Sequence, residues 1–384
     1  MRISRRSDVD PFIVMDVMEA ARQAEEAGRS IIHMEVGQPG TGAPKGALDQ
    51  LSQVMQADPM GYTVALGRPD LRQRIARLYK DWYGLEIAPS RIVVTAGSSA
   101  AFQLTFVTLF DAGARVAIGD PGYPSYRNIL KALDLEPVSI VTKAENRFQP
   151  TPTEIAQQPD LAGLLVASPA NPTGTMLDHT ALRGLIDGCQ ARDIAFISDE
   201  IYHGIQYEGR AVSALEISDE VVVINSFSKY FSMTGWRIGW MVVPESHVRQ
   251  VERLAQNMFI CAPHASQIAA LAAMDCTDVL DANLAVYREN RRLMLEGLPK
   301  AGFTRIAPPD GAFYIYADVS DLTDDSRAFA REILEIAGVA VTPGLDFDPG
   351  RGKHGLRFSY ARSTEDIAEG LRRLQDFMAT RRKA

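Results

Sequence analysis

Cysteine is scarce in this chain. Its 384 residues hold three, Cys189, Cys261 and Cys276, an odd number with no close pair. That excludes a disulfide framework and a cysteine-based zinc site, suits a reducing compartment, and leads us to expect three buried, inert thiols. Long apolar runs are also missing: none approaches the roughly 18 residues that a membrane helix needs. Arg2, Arg5 and Arg6 look like the start of a signal peptide, but Asp8, Asp10 and Pro11 follow. The apolar run at 12–15 stops at Asp16, too soon for a signal sequence. An excess of positive charge is lacking as well, since the net charge is -8, and this argues against a nucleic-acid binder. There is no internal repeat and no low-complexity tract. The six histidines show no ligand spacing for a metal, and His203 is expected to be packed or capping although it stands next to Tyr202. These absences leave a soluble, cytoplasmic protein, with Arg381, Arg382 and Lys383 as a solvated end.

What is present is ample core. Hydrophobic residues make up 46% of a chain longer than one usual domain, so two domains are expected. An irregular arm leads to a helix near 14–27 that stops at Gly28, then a short strand at 31–36. A helix at 70–82 is signalled by Pro69 and Asp70. Strands follow at 91–95, 115–119, 136–140, 161–168, 194–198, 221–225 and 238–243, with a helix at 101–110 and a linker at 149–160. Such alternation predicts a mainly parallel sheet covered on both faces. A helical region at 245–299, interrupted by Pro263, precedes a smaller α+β unit. That unit has strands at 311–317, 339–342 and 356–360 and helices at 325–337 and 364–380.

In sheets of this kind ligands bind beyond the C-terminal strand ends, and the residues there can do chemistry. Lys229 follows the strand at 221–225 within Ser226–Phe227–Ser228–Lys229. A lysine held among apolar walls and other cations loses its proton easily and attacks carbonyls. Arg237, between Gly235 and Gly239, offers a planar fork to a phosphate. Gly97–Ser98–Ser99 joins a strand to a helix, which presents backbone amides to an anion. Tyr123, between Pro121 and Pro124, can stack on a flat ring. Ser168–Pro169–Ala170–Asn171–Pro172 suggests a cis bond at a functional turn. Asp199 closes a buried strand, where it suits a pyridine nitrogen, and Tyr202 three residues on suits a phenolate oxygen. Arg357 alternates with apolar neighbours and suits a carboxylate. Taken singly, each has a plainer reading: a loop lysine, a turn tyrosine, a helix cap at Asp199, a structural ion pair at Arg357. Their convergence on strand ends favours a ligand site.

Read together, these pieces resemble the pyridoxal 5'-phosphate (PLP)-dependent aminotransferases of the aspartate aminotransferase superfamily, fold type I, class I/II. The resemblance spans nearly the whole chain. It is carried by Val36–Gly37–Gln38–Pro39, by Tyr62 with Gly67–Arg68–Pro69–Asp70–Leu71–Arg72, and by Thr95–Ala96–Gly97–Ser98–Ser99. It continues through Asp120–Pro121–Gly122–Tyr123–Pro124, Asn171–Pro172–Thr173–Gly174, Asp199–Glu200–Ile201–Tyr202, Ser226 to Lys229 and Gly235–Trp236–Arg237–Ile238–Gly239. It ends with Pro343–Gly344 and Leu356–Arg357–Phe358–Ser359.

This likeness implies an α/β fold, with a mainly parallel seven-stranded sheet in a large PLP-binding domain at 46–280. A smaller α+β domain would comprise 281–384, with 1–45 as an arm and part of that unit. Lys229 would hold the cofactor as an internal aldimine and move the proton between substrate and cofactor. Asp199 would pair with the ring nitrogen, Tyr202 and Asn171 would bond the ring oxygen, and Tyr123 would stack. Ser98, Ser99, Ser226 and Arg237 would hold the phosphate, with Tyr62 from the second subunit of a homodimer whose sites are shared. Arg357, Asn171 and the Gly37 backbone would bind the substrate carboxylate.

The implied substrates are an amino acid and a 2-oxo acid. The turn Gly97–Ser98–Ser99–Ala100 lacks the lysine that serves a second carboxylate in some relatives, and the arm offers Val9, Phe12 and Ile13. A neutral aliphatic or aromatic amino acid is therefore expected, with 2-oxoglutarate or pyruvate as acceptor. A lyase catalysing elimination or cyclisation is the alternative on the same scaffold. A ligand-sensing regulator would need a DNA-binding module, which the short stretch before Gly37 does not provide. A plain structural α/β protein would bind no cofactor at all.

Overall fold

The computed structural model describes residues 1–381; Arg382 and Lys383 of the expected solvated end lie outside them. Helix α1 (Ile13–Glu26) and strand β1 (Ile32–His33) open the chain, followed by α2 (Lys45–Met55) and α3 (Pro69–Tyr83). Seven strands then form the central sheet: β2 (Ile92–Thr95), β3 (Arg115–Asp120), β4 (Glu136–Val141), β5 (Leu161–Ala167), β6 (Ala195–Asp199), β7 (Val222–Ser226) and β8 (Gly239–Val242). Between them run α4 (Gly97–Leu109), α5 (Pro124–Ala132), α6 (Pro152–Ala156) and α7 (His179–Gln190).

The sheet order is β2-β8-β7-β6-β5-β3-β4. Every neighbouring pair is parallel except those made by β8, which runs against β2 and β7. The C-terminal ends of β2, β3, β5, β6 and β7 therefore share one edge, and β8 begins there. This topology brings Arg237, just before β8, beside residues that follow the other strands.

The apolar runs explain the layering. All residues of β2, β7 and β8 are buried, as strands covered on both faces require. Helix α4 is apolar around most of its circumference and lies buried beneath the sheet. Trp240 on β8 is fully buried against Phe227, and its indole nitrogen donates to Tyr79 Oη at 3.2 Å.

Beyond β8, helices α8 (Val248–Met258), α9 (His264–Ala273) and α10 (Thr277–Lys300) lead to β9 (Arg305–Ile306), β10 (Tyr314–Asp318) and α11 (Ser326–Glu332). Strands β11 (Val339–Ala340), β12 (Thr342–Pro343) and β13 (Gly355–Ser359) and helix α12 (Thr364–Arg381) complete the chain. Strands β12-β13-β10-β9 form an antiparallel sheet, and β1 pairs in parallel with β11. The N-terminal segment thus joins the C-terminal unit.

Several expectations need correction. The supposed linker at 149–160 contains α6, started by a capping box between Thr151 and Glu154. Pro263 does not merely interrupt a helix; it is the residue from which α9 starts. The strand expected at 339–342 divides, with β11 pairing to β1 and β12 to β13. Helices α2, α5 and α7 were not foreseen. Of the three thiols only Cys189 is buried; Cys261 and Cys276 are partly exposed.

Truncating Trp240 removes the large side chain that fills the space between β8 and α3. Trp240→Ala is expected to destabilise the protein by about 3–5 kcal/mol, read as an earlier urea midpoint of the cofactor-free protein. A midpoint unchanged from wild type would contradict the packing described.

Candidate active site

Gly37, Ser98, Ser99, Tyr123, Asn171, Tyr202, Lys229, Arg237 and Arg357 line one cavity of about 190 Å³ at the C-terminal edge of the sheet. Lys229 stands three residues past β7. Its Nζ donates to the Gly37 carbonyl at 2.6 Å and lies 5.7 Å from the centre of the Tyr202 ring. No carboxylate forms an ion pair with it among the described residues. Burial, then the charges of Arg357 and Arg237, pull its pKa down to about 8, with Asp199 opposing.

Asp199 ends β6 and is buried behind the cavity wall. Its Oδ2 accepts a bond from Tyr126 Oη, and its Oδ1 accepts from the Ile201 amide at 3.1 Å. Burial pushes its pKa up to about 6, while the Tyr126 hydroxyl, the Ile201 amide and the Lys229 charge pull the other way. Tyr202 is buried, and its hydroxyl shares a 2.7 Å hydrogen bond with that of Tyr314.

At the other side, α4 begins at Gly97 with no capping side chain and no acid in its first turn. Its free amides and positive dipole end therefore face the cavity with Ser98 and Ser99. Gly97 has φ +74°, and a Cβ there would stand 2.9 Å from the Arg237 guanidinium carbon. Glycine at this position lets the arginine lie across the helix start. Arg237 Nη1 donates to the Thr234 carbonyl at 3.0 Å, and the residue has no ion-pair partner among the described residues.

Arg357 on β13 is buried between Tyr314 and Phe347, its guanidinium carbon 4.4 and 4.7 Å from their ring centres. Nη1 donates to Asn171 Oδ1 at 2.9 Å, Nη2 donates to the Glu35 carbonyl, and Nε finds no partner. The structural ion pair that was the plainer reading is not formed. Asn171 sits in the turn after β5, where Ser168–Pro169 and Asn171–Pro172 are both cis.

Two residues stand apart. Ser226 is buried at the end of β7, its Oγ 2.9 Å from Ser228 Oγ and 3.2 Å from the Ile238 carbonyl oxygen. Ser228 is the serine of this motif that reaches the cavity. Tyr62 is 83% exposed and does not line the cavity. The sequence reading missed Ser228, Tyr126, Tyr314, Met15 and Met18. The only local signal for Ser228 is its place two residues after Ser226, and for Tyr126 its place one helical turn after Tyr123. His203 is packed: its Nε2 pairs with the Ser168 carbonyl at 2.9 Å and its Nδ1 with Tyr83 Oη at 2.6 Å. Burial holds it neutral, with a pKa near 4.

The cavity thus presents an amine primed toward carbonyls, a carboxyl behind it, an anion cradle at α4 and a second cation at Arg357. None of the four is neutralised by an ion pair within the described chain. This is the complement of a ligand bearing an aldehyde, a basic ring nitrogen and a phosphate, beside a second ligand bearing a carboxylate. Such a fold and site define a fold type I enzyme dependent on PLP.

The chain belongs to the aminotransferase class I and II family, whose pattern it matches over residues 29–374. It is 46% identical over 382 residues to the valine–pyruvate aminotransferase of Mycobacterium tuberculosis, covering 98% of each chain. A solved structure from Silicibacter pomeroyi is 69% identical, with TM-score 0.95 over 99% of this chain and 100% of that one. The Thermus thermophilus aspartate aminotransferase solved with maleate is 30% identical, with TM-score 0.91 over 98% of this chain and 100% of that one. The protein is a PLP-dependent amino acid aminotransferase.

The lowered pKa of Lys229 has a kinetic consequence. Only the neutral amine attacks an aldehyde, so capture of PLP by the stripped protein should quicken as pH rises and level off above a midpoint near 8 rather than 10.5. Stopped-flow absorbance against pH measures it; a rate still climbing through pH 10 would contradict the depressed value.

Proposed function

We propose that this enzyme moves the amino group of a neutral aliphatic amino acid, with valine as the first candidate, to pyruvate or 2-oxoglutarate. The observation that carries the substrate class is the cavity's charge inventory. Its lining cations are Lys229, Arg237 and Arg357, each with a use in the scheme below, and no further one faces a second carboxylate. Phe12, Val14, Met15 and Met18 of the N-terminal segment line the same cavity and offer an apolar wall. The name of the relative from Mycobacterium tuberculosis points the same way.

When bound, PLP supplies an electron sink that stabilises a carbanion at the substrate α-carbon. Lys229 would hold the cofactor and, as a neutral amine, would serve as the general base for the substrate α-proton. Asp199 carries negative charge toward the ring nitrogen, and Tyr126 orients that carboxylate. Tyr202 and Asn171 would hydrogen-bond the ring oxygen, and Tyr123 would pack on the ring. Ser98, Ser99 and Arg237 cradle the phosphate, with Ser228 standing nearer than Ser226. Arg357, sandwiched between two aromatic rings and tied to Asn171, would receive the substrate carboxylate as a bidentate pair. The Gly37 backbone closes that subsite. No observation favours the lyase alternative.

We further take residues 46–280 as the large domain and 281–384 with 1–45 as the small one. The boundary falls in the first turn of α10, and the β1–β11 pair supports grouping the two chain ends. The three free cysteines favour a cytoplasmic setting, and no helix among the described residues is long and apolar enough to cross a membrane. A homodimer with shared sites accounts for Tyr62, whose ring is left in solvent within one chain together with Val64 and Ile260.

The purified enzyme should show a PLP absorbance band that valine converts to the amine form and pyruvate restores. Lys229→Ala should lose at least about 10³-fold in turnover, with the band unresponsive to cycling. Conversion accompanied by ammonia release without an acceptor would overturn transamination. Tyr62→Phe should weaken PLP retention by roughly 2–10-fold, and sedimentation should give a dimer. A monomer retaining full activity would remove Tyr62 from the site.

A further inference from the structure

Helix α1 is poorly equipped to begin where it does. Its N-cap is Phe12, which has no side-chain acceptor for the first free amides. Those amides are satisfied from far away in the chain. Asp346 Oδ1 accepts from the Ile13 amide at 2.9 Å, and Oδ2 from the Val14 amide at 3.2 Å. Asp346 is buried and has no ion-pair partner among the described residues. A buried carboxylate is unfavourable unless bonded, and these two amides are the bonds it makes.

What the anchor holds matters for the site. Phe12, Val14, Met15 and Met18 all face the cavity from this start of α1. Met15 remains 53% exposed, an apolar side chain left at an opening. The Phe12 ring meets Tyr123 edge-on, with centres 5.9 Å apart. On the other side, Asp346 adjoins Phe347, whose ring packs on the Arg357 guanidinium and whose carbonyl accepts the Gly122 amide at 3.0 Å. Thr342, four residues before Asp346, receives a bond from Arg357 Nη2 at 3.3 Å. One short segment, 342–347, therefore fixes both the cation for the α-carboxylate and the wall opposite it.

We propose that Asp346 is a specificity-determining positioning residue, whose carboxylate docks the first turn of α1 as the apolar wall that receives the amino acid side chain. The inference rests on the reading of the cavity given above. It sets the distance between the Arg357 subsite and that wall, so it acts on side chains long enough to reach the wall and leaves a methyl group unaffected.

The test uses the full-length holoenzyme and its Asp346→Ala and Asp346→Asn variants, with alanine, valine and leucine as amino donors. In Asp346→Ala the KM for valine and leucine should rise roughly tenfold while that for alanine rises less than about twofold, with kcat little changed. Asp346→Asn keeps one acceptor oxygen and should fall between. Amide hydrogen exchange of residues 13–18, followed by mass spectrometry, should quicken in Asp346→Ala whether or not the enzyme turns over. An equal KM rise for all three donors, or unchanged exchange at 13–18, overturns the proposal. A wild-type enzyme that converts none of the three overturns the reading of the cavity and the proposal with it. One that converts them while the variants match it overturns the proposal alone.

Discussion

Lys229 is a base without a counter-ion, and the site is arranged around keeping it so. An ammonium paired to a carboxylate would hold its proton tightly; here the nearest acceptor is a neutral carbonyl, that of Gly37, at 2.6 Å. Arg357 and Arg237 both disfavour the charged form, and burial does so more strongly. Asp199, the acid on the neighbouring strand, is engaged by Tyr126 and the Ile201 amide instead of by the lysine.

The arginine that lowers the lysine's affinity for protons belongs to the other structural unit. Arg357 lies on β13, Lys229 follows β7, and Asn171 after β5 bridges to the arginine. Placing two cations near one another is unfavourable in isolation. The packing between units makes it tolerable: Tyr314 and Phe347 present ring faces to Arg357, a favourable arrangement for a guanidinium. A bound carboxylate would neutralise one of those charges, so the site favours an anion. The same argument applies at Arg237 and the start of α4, where amides, dipole and guanidinium converge.

Much of this was legible in the sequence because chemistry here sits at strand ends. Lys229, Asp199, Asn171 and Tyr123 each follow a short apolar run closed by small or cyclic residues, a pattern that period and composition reveal. The mainly parallel sheet followed from the same alternation. What stayed hidden depends on side-chain direction or distant pairing. Ser226 and Ser228 are indistinguishable by composition, and only the turn of the backbone sends one inward and the other to the cavity. Tyr126 reads as an ordinary helix residue until β6 brings Asp199 beneath it. Asp346 bonds an amide 333 positions away, beyond any local pattern. Helices α5 and α7 did carry local signals, Pro124 at the first turn of one and the Asp178 cap of the other.

The paired acids of Asp199–Glu200 show why an apparently redundant charge is not one. Glu200 points away from the cavity, accepting from the Ala214 amide at 2.8 Å and from the hydroxyls of Ser198 and Ser213. Burial raises its pKa to about 8, against the pull of those bonds. Burial raises Asp199 too, but less far, to about 6. Asp199 is thus the acid set behind the cavity, and Glu200 is tied to Ser198, Ser213 and Ala214. Burial keeps His203 uncharged beside Glu200, with its ring tied to Tyr83 and Ser168. Of the two neighbouring acids, only Asp199 acts on the charge of Lys229.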